Sequence, residues 1–173
     1  MKNFLIKYGK LIPLILYPYA YWLWIICEQE MPLIIATLIY NIYVLVISIY
    51  YPVSVIRKKI PTHDAAKANL LIKGLQIPAY LFHFLMGIAG VAIGPIFGIP
   101  LILMAVVIDW LTIMLSGISS IGCHVQMKRE GLISTGKAFW MLIGSFVYCV
   151  DVFIAIKYVK ISKKTTQTEI SSI

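Results

Sequence analysis

Apolar residues run along this chain in five stretches, 11–27, 33–56, 70–93, 96–121 and 138–156, parted by short polar or Pro/Gly segments. A helix needs about 20 apolar residues to cross some 30 Å of hydrocarbon. Four of the stretches meet that length directly. The first reaches it as 4–27 if Lys7 and Lys10 snorkel toward the head groups. Glu28-Gln29-Glu30-Met31-Pro32 and Gly94-Pro95 are tight turn signals, so spans one and two, and three and four, read as helical hairpins. The pattern predicts an all-α transmembrane bundle of five spans, with four as the alternative. Residues 1–160 form one membrane domain, and the polar tail 161–173 is expected to be disordered.

Composition agrees. Of 173 residues, 61% are hydrophobic and 13% charged, which leaves no room for a soluble domain. The net charge of +8 comes from basic clusters at span ends: Lys2, Lys7, Lys10; Arg57, Lys58, Lys59, Lys67, Lys73; Lys128, Arg129, Lys137; and Lys157, Lys160, Lys163, Lys164. That placement points to anionic lipid head groups, not to nucleic acid. An N-terminus on the cytoplasmic side puts the first three clusters inside and strands the last outside. Bringing the tail inside requires an even number of crossings, and the two least secure spans are the short, proline-broken first one and 138–156. The basic then apolar start carries no small-x-small cleavage site and reads as a retained first span. Cys27, Cys123 and Cys149 are widely spaced soft fillers, with neither a disulfide nor a metal pattern.

Polar side chains in lipid must face protein or water, so their helical spacing marks the inward faces. Gln76, Tyr80, His83, Gly87, Gly90 and Gly94 share one face of the third span; Asp109, Thr112, Ser116, Ser119, Ser120 and Cys123 share one of the fourth. Thr37, Asn41, Ser48 and Pro52 do so on the second, and Lys137, Trp140, Gly144, Tyr148, Asp151 and Ala155 on the fifth.

At about 1.5 Å per residue from the outer span ends, His83 lies about 15 Å deep, Asp109 about 19 Å, Asn41 about 12 Å and Asp151 about 7 Å. His83 and Asp109 therefore fall within about one turn of each other, on spans joined by two residues. The expected polar site is a His83–Asp109 contact with Asn41 and Tyr80 nearby. Asp151 either joins them or faces water. A carboxylate beside an imidazole makes a proton or cation site, or a lock on helix register. The segment Cys123-His124-Val125-Gln126-Met127-Lys128-Arg129-Glu130-Gly131 reads as a solvated basic loop.

No nucleophile elbow, zinc-protease helix, phosphate loop or Cys-x-x-Cys pair occurs, so an enzyme is the least favoured class and no cofactor or metal is implied. Ile77-Pro78-Ala79-Tyr80, Arg129-Glu130-Gly131-Leu132-Ile133-Ser134 and Cys149-Val150-Asp151-Val152 resemble motifs of small polytopic membrane proteins of Gram-positive bacteria, over roughly 66–160. That group has no established activity; the resemblance implies a multi-pass protein of the bacterial plasma membrane. The leading expectation is a non-enzymatic accessory or protective, immunity-like component. It would act with the lipid bilayer, as a homo-oligomer or beside a partner membrane protein. The alternative is a minimal proton- or cation-linked transporter or channel using His83 and Asp109.

Overall fold

The computed structural model describes residues 8–26 and 31–171, and every regular element in them is helical. A 3-10 turn, Gly9–Leu11, is followed by α1 (Ile12–Ile26), α2 (Met31–Ile56), α3 (Thr62–Ile93), α4 (Pro95–Arg129), α5 (Thr135–Gly144) and α6 (Val150–Ser171). Helices α2, α3 and α4 are long and apolar enough to cross a bilayer, as expected of a membrane-embedded protein. Helix α1 has 15 residues, short of a full crossing. Residues 4–7, expected to complete that span, lie outside the described residues, as do Cys27 and the acidic turn at 28–30.

Two helices overrun the apolar stretches that predict them. Helix α3 begins at Thr62 instead of 70, and α4 continues to Arg129 instead of 121. The backbone ladder needs good helix formers, not apolar ones, and Ala65, Ala66 and Ala68 supply the first turns of α3. The segment expected as a loop from Cys123 is mostly the end of α4, with Cys123, His124, Gln126 and Met127 buried.

Helices α3 and α4 fold back on each other through Gly94, whose φ of +98° suits glycine. Their backbones then touch: a Cβ at Gly98 would stand 1.9 Å from the Gly90 carbonyl oxygen. Helix α1 is tied to its neighbours by Gln76 Nε2 donating to the Leu14 carbonyl at 3.0 Å and Tyr40 donating to that of Pro13 at 2.7 Å. Leu14, Tyr17, Val44, Val55, Ile72 and Leu115 fill the core among these four helices.

The fifth apolar stretch is not one span. It breaks at 145–149, where Cys149 takes a left-handed φ of 63°, and α6 turns back along α5. The contacts of α6 fix its direction. Asp151 meets Lys73, Tyr158 meets His124, and Ser162 meets His63 at 2.9 Å, so α6 descends α3 toward the end where Thr62 donates to Glu130 at 2.6 Å. Helix α5 starts at that same end, directly after the turn that follows α4. The stretch is therefore a helical hairpin that enters and leaves the bundle by one end. Met127, Met141, Ile154 and Tyr158 pack its base.

Two expectations change here. The predicted inward face of the fifth span is divided between the two helices of the hairpin: Gly144, Asp151 and Ala155 are buried, while Trp140 is 70% and Tyr148 40% exposed. Helix α6 runs from Val150 to Ser171, a segment without glycine or proline. The stranded lysines at 157, 160 and 163 rejoin the end that carries Lys10, Arg57, Lys58, Lys59, Lys128 and Arg129.

In a protein with Cys27, Cys123 and Cys149 replaced by alanine, Lys163→Cys and Lys128→Cys should react with a membrane-impermeant maleimide from the same side of sealed vesicles. Labelling from opposite sides would mean that 138–156 crosses the bilayer.

Candidate functional site

Helix α3 carries the polar axis of the bundle. Stepping alternately four and three residues from Thr62 gives Ala66, Asn69, Lys73, Gln76, Tyr80, His83, Gly87, Gly90 and Gly94, and every position from Thr62 to His83 is buried, the last three being glycines. Ser120 donates to Asn69 Oδ1 at 2.8 Å. On α4 the hydroxyls of Thr112, Ser116 and Ser119 bond back to carbonyls three or four residues earlier, as residues of this type commonly do within a helix.

Two charged pairs hang on this axis. The upper one is His83 with Asp109, Nδ1 to Oδ1 at 2.6 Å, as the depth arithmetic expects. The His83 side chain is 1% exposed and that of Asp109 17%. The lower pair joins Lys73 to Asp151 at 3.0 Å, with both side chains fully buried. The Lys73 ammonium also donates to the Ser145 carbonyl at 3.2 Å.

The break in the hairpin explains why a buried lysine is tolerated there. Ser145 closes the C-terminal end of α5, where unpaired carbonyls carry partial negative charge, and Asp151 lies in the first turn of α6, where helix N–H groups favour a carboxylate. One hairpin thus presents a carbonyl and a carboxylate to the same ammonium. Burying an ion pair is repaid only with such added hydrogen bonds. Asp151 Oδ1 has no hydrogen-bond partner among the described residues.

Tyr80 stands between the pairs. Its ring packs against Tyr148 of the hairpin tip at 5.1 Å, the Tyr148 hydroxyl donates to the Tyr80 carbonyl at 3.3 Å, and both Asp109 and Asp151 are within electrostatic range of the Tyr80 hydroxyl. Above Tyr148 lies a cavity of about 520 Å³ between α3 and α4, with His83 and Asp109 in its wall. The remaining wall is apolar and aromatic, including Phe84, Val106 and Trp110, each more than half exposed on the lipid-facing surface.

The predicted site residues thus separate. His83, Asp109 and Tyr80 share one neighbourhood. Asn41 does not join it: its Oδ1 accepts from Tyr17 and Tyr21, both at 2.8 Å, and its Nδ2 donates to Thr37. Asp151 neither joins His83 nor faces water; it holds Lys73. Sequence reasoning grouped Lys73 with the basic cluster at a span end, although one more step down the Gln76–Tyr80–His83 stripe puts it on the buried face. His124 and Tyr158, in contact across α4 and α6, were missed as well, because their pairing depends on the reversal of α6.

No group of three or more His, Cys, Asp or Glu side chains among the described residues could hold a metal ion. Lys73→Met alone leaves a buried, unpaired carboxylate and should cost about 3–5 kcal/mol of stability. Adding Asp151→Leu should restore most of it, since no charge is then buried. Chemical unfolding in detergent measures both. Compared with known protein families, with curated proteins and with solved structures, the chain has no match in any of the three.

Proposed function

We propose that the chain is a non-enzymatic membrane protein of minimal carrier type, with His83 and Asp109 as its proton- or cation-binding site. One observation carries the reading: an acid–base pair about three to four helical turns from the far end of the hairpin α3–α4 borders a cavity open to the lipid-facing side. A pair needed only to lock two helices gains nothing from such an opening. Lys73 and Asp151 lie about 15 Å below, buried at a helix break, an arrangement of half-helix ends around charge that alternating-access proteins use for ion sites.

In this reading α1 to α4 cross the bilayer and the α5–α6 hairpin re-enters from the basic side. Four crossings place the N-terminus and the tail together in the cytoplasm, consistent with the positive-inside rule. The membrane is the plasma membrane of a bacterium. Anionic lipids hold the basic end, no cofactor or nucleic acid takes part, and a second copy or a partner membrane protein supplies the other half of a pathway.

The test is proton flux into proteoliposomes loaded with a pH-sensitive dye, comparing wild type with Asp109→Asn at matched folded amounts. Flux in the wild type should fall at least about tenfold in the variant. Equal flux, or none in either protein, would leave the accessory or protective role, with both pairs serving to hold the bundle together.

A further inference from the structure

We infer that the cavity beside His83 and Asp109 binds a lipophilic organic cation, one positive charge on an apolar body. The inference rests on reading this pair as a proton-binding site, and adds the class of ligand that competes with the proton.

The walls determine the body. A volume of about 520 Å³ is that of a small-molecule site. Its lining is apolar except for His83, Asp109 and the Tyr148 hydroxyl. Phe84, Trp110 and Tyr148 present three aromatic rings, and ring faces attract cations, most strongly where water is excluded.

Asp109 determines the charge. Its Oδ1 faces His83, and the carboxylate lies in the cavity wall. The side chain is 17% exposed, toward a space that lipid tails can fill but not solvate. Asp109 is fourteen residues into α4 from Pro95, about 21 Å from that helix end, beyond the reach of a phospholipid head group. A cation with an apolar body enters laterally from the bilayer and satisfies both requirements together.

Competition with the proton follows from the geometry. With His83 protonated, the pair is neutral overall and a second cation is repelled. With His83 neutral, Asp109 carries the only charge facing the cavity. Binding should therefore release a proton from His83. The other titratable groups facing Asp109 are Tyr80 on α3 and Tyr148 at the hairpin tip. Asp151, more distant, is held by Lys73.

Tetraphenylphosphonium is a suitable probe, because it cannot titrate and any pH dependence of its binding belongs to the protein. The full chain in lipid nanodiscs should bind it by equilibrium dialysis at least about tenfold more tightly than Asp109→Asn does, with affinity falling and proton release rising as the pH is lowered. Triphenylphosphine oxide, apolar and neutral, should not distinguish the two proteins. Val106→Trp, which fills the cavity without touching the pair, should abolish binding with the fold intact by circular dichroism. Equal binding of the cation by wild type, Asp109→Asn and Val106→Trp would overturn the inference. So would binding in which the neutral analogue matches the cation. Binding without proton flux in proteoliposomes supports the site and removes carriage; flux without binding removes the site and keeps the carrier.

Discussion

A lysine ammonium inside a membrane bundle has to be met by charge and by hydrogen-bond acceptors, and Lys73 is met by a hairpin. Its partners are the Asp151 carboxylate at 3.0 Å and the Ser145 carbonyl at 3.2 Å, six residues apart in sequence. A continuous helix cannot bring both to one point: the Ser145 carbonyl would be used by its own ladder, and the side chain of Asp151 would project from a different turn. Ending one helix at 144 and beginning the next at 150 frees the carbonyl and aims the carboxylate. The reversal of α6, the position of the C-terminal lysines and the burial of Tyr158 against His124 are consequences.

The same hairpin shapes the upper site. Its tip carries Tyr148 to Tyr80, and so closes the lower boundary of the cavity in whose wall His83 and Asp109 lie. The upper boundary is set by the contact of Gly90 with Gly98, where two helix backbones meet without side chains between them. Below that contact the cavity opens between α3 and α4, and the pair bridges them. Besides the two pairs, Ser120 on Asn69, His63 on Ser162 and Tyr158 on His124 tie α3, α4 and α6 to one another, and these contacts share with the pairs the task of fixing helix register.

How much of this was legible differs residue by residue. The contact of His83 with Asp109 follows from depth and face alone, because two helices joined by a two-residue turn share a common origin from which depth can be counted. Asn41 has the right depth, but its helix meets α1 there instead of α3, and no count along the chain reveals which neighbour a face meets. Lys73 was legible in periodicity and obscured by its charge, since a lysine within a few turns of a span end is ordinarily a head-group residue. At the break only Gly144, the last residue of α5, is a stop signal, and Cys149 adopts its left-handed conformation without the residue type that usually does so.

The sequence by itself determined the class of protein, the long helices α2, α3 and α4, the turn at Gly94 and the inward faces of three helices. These depend on local hydrogen bonding and on the transfer of side chains into hydrocarbon, both properties of short segments. Tertiary structure alone decided that the fifth apolar stretch turns back, that Asp151 belongs to Lys73, and that the upper pair borders a cavity. Those depend on where a charge buried on one helix finds its compensation on another, and hydropathy assigns the same apolar score to a stretch that crosses a bilayer and to one that enters it and returns.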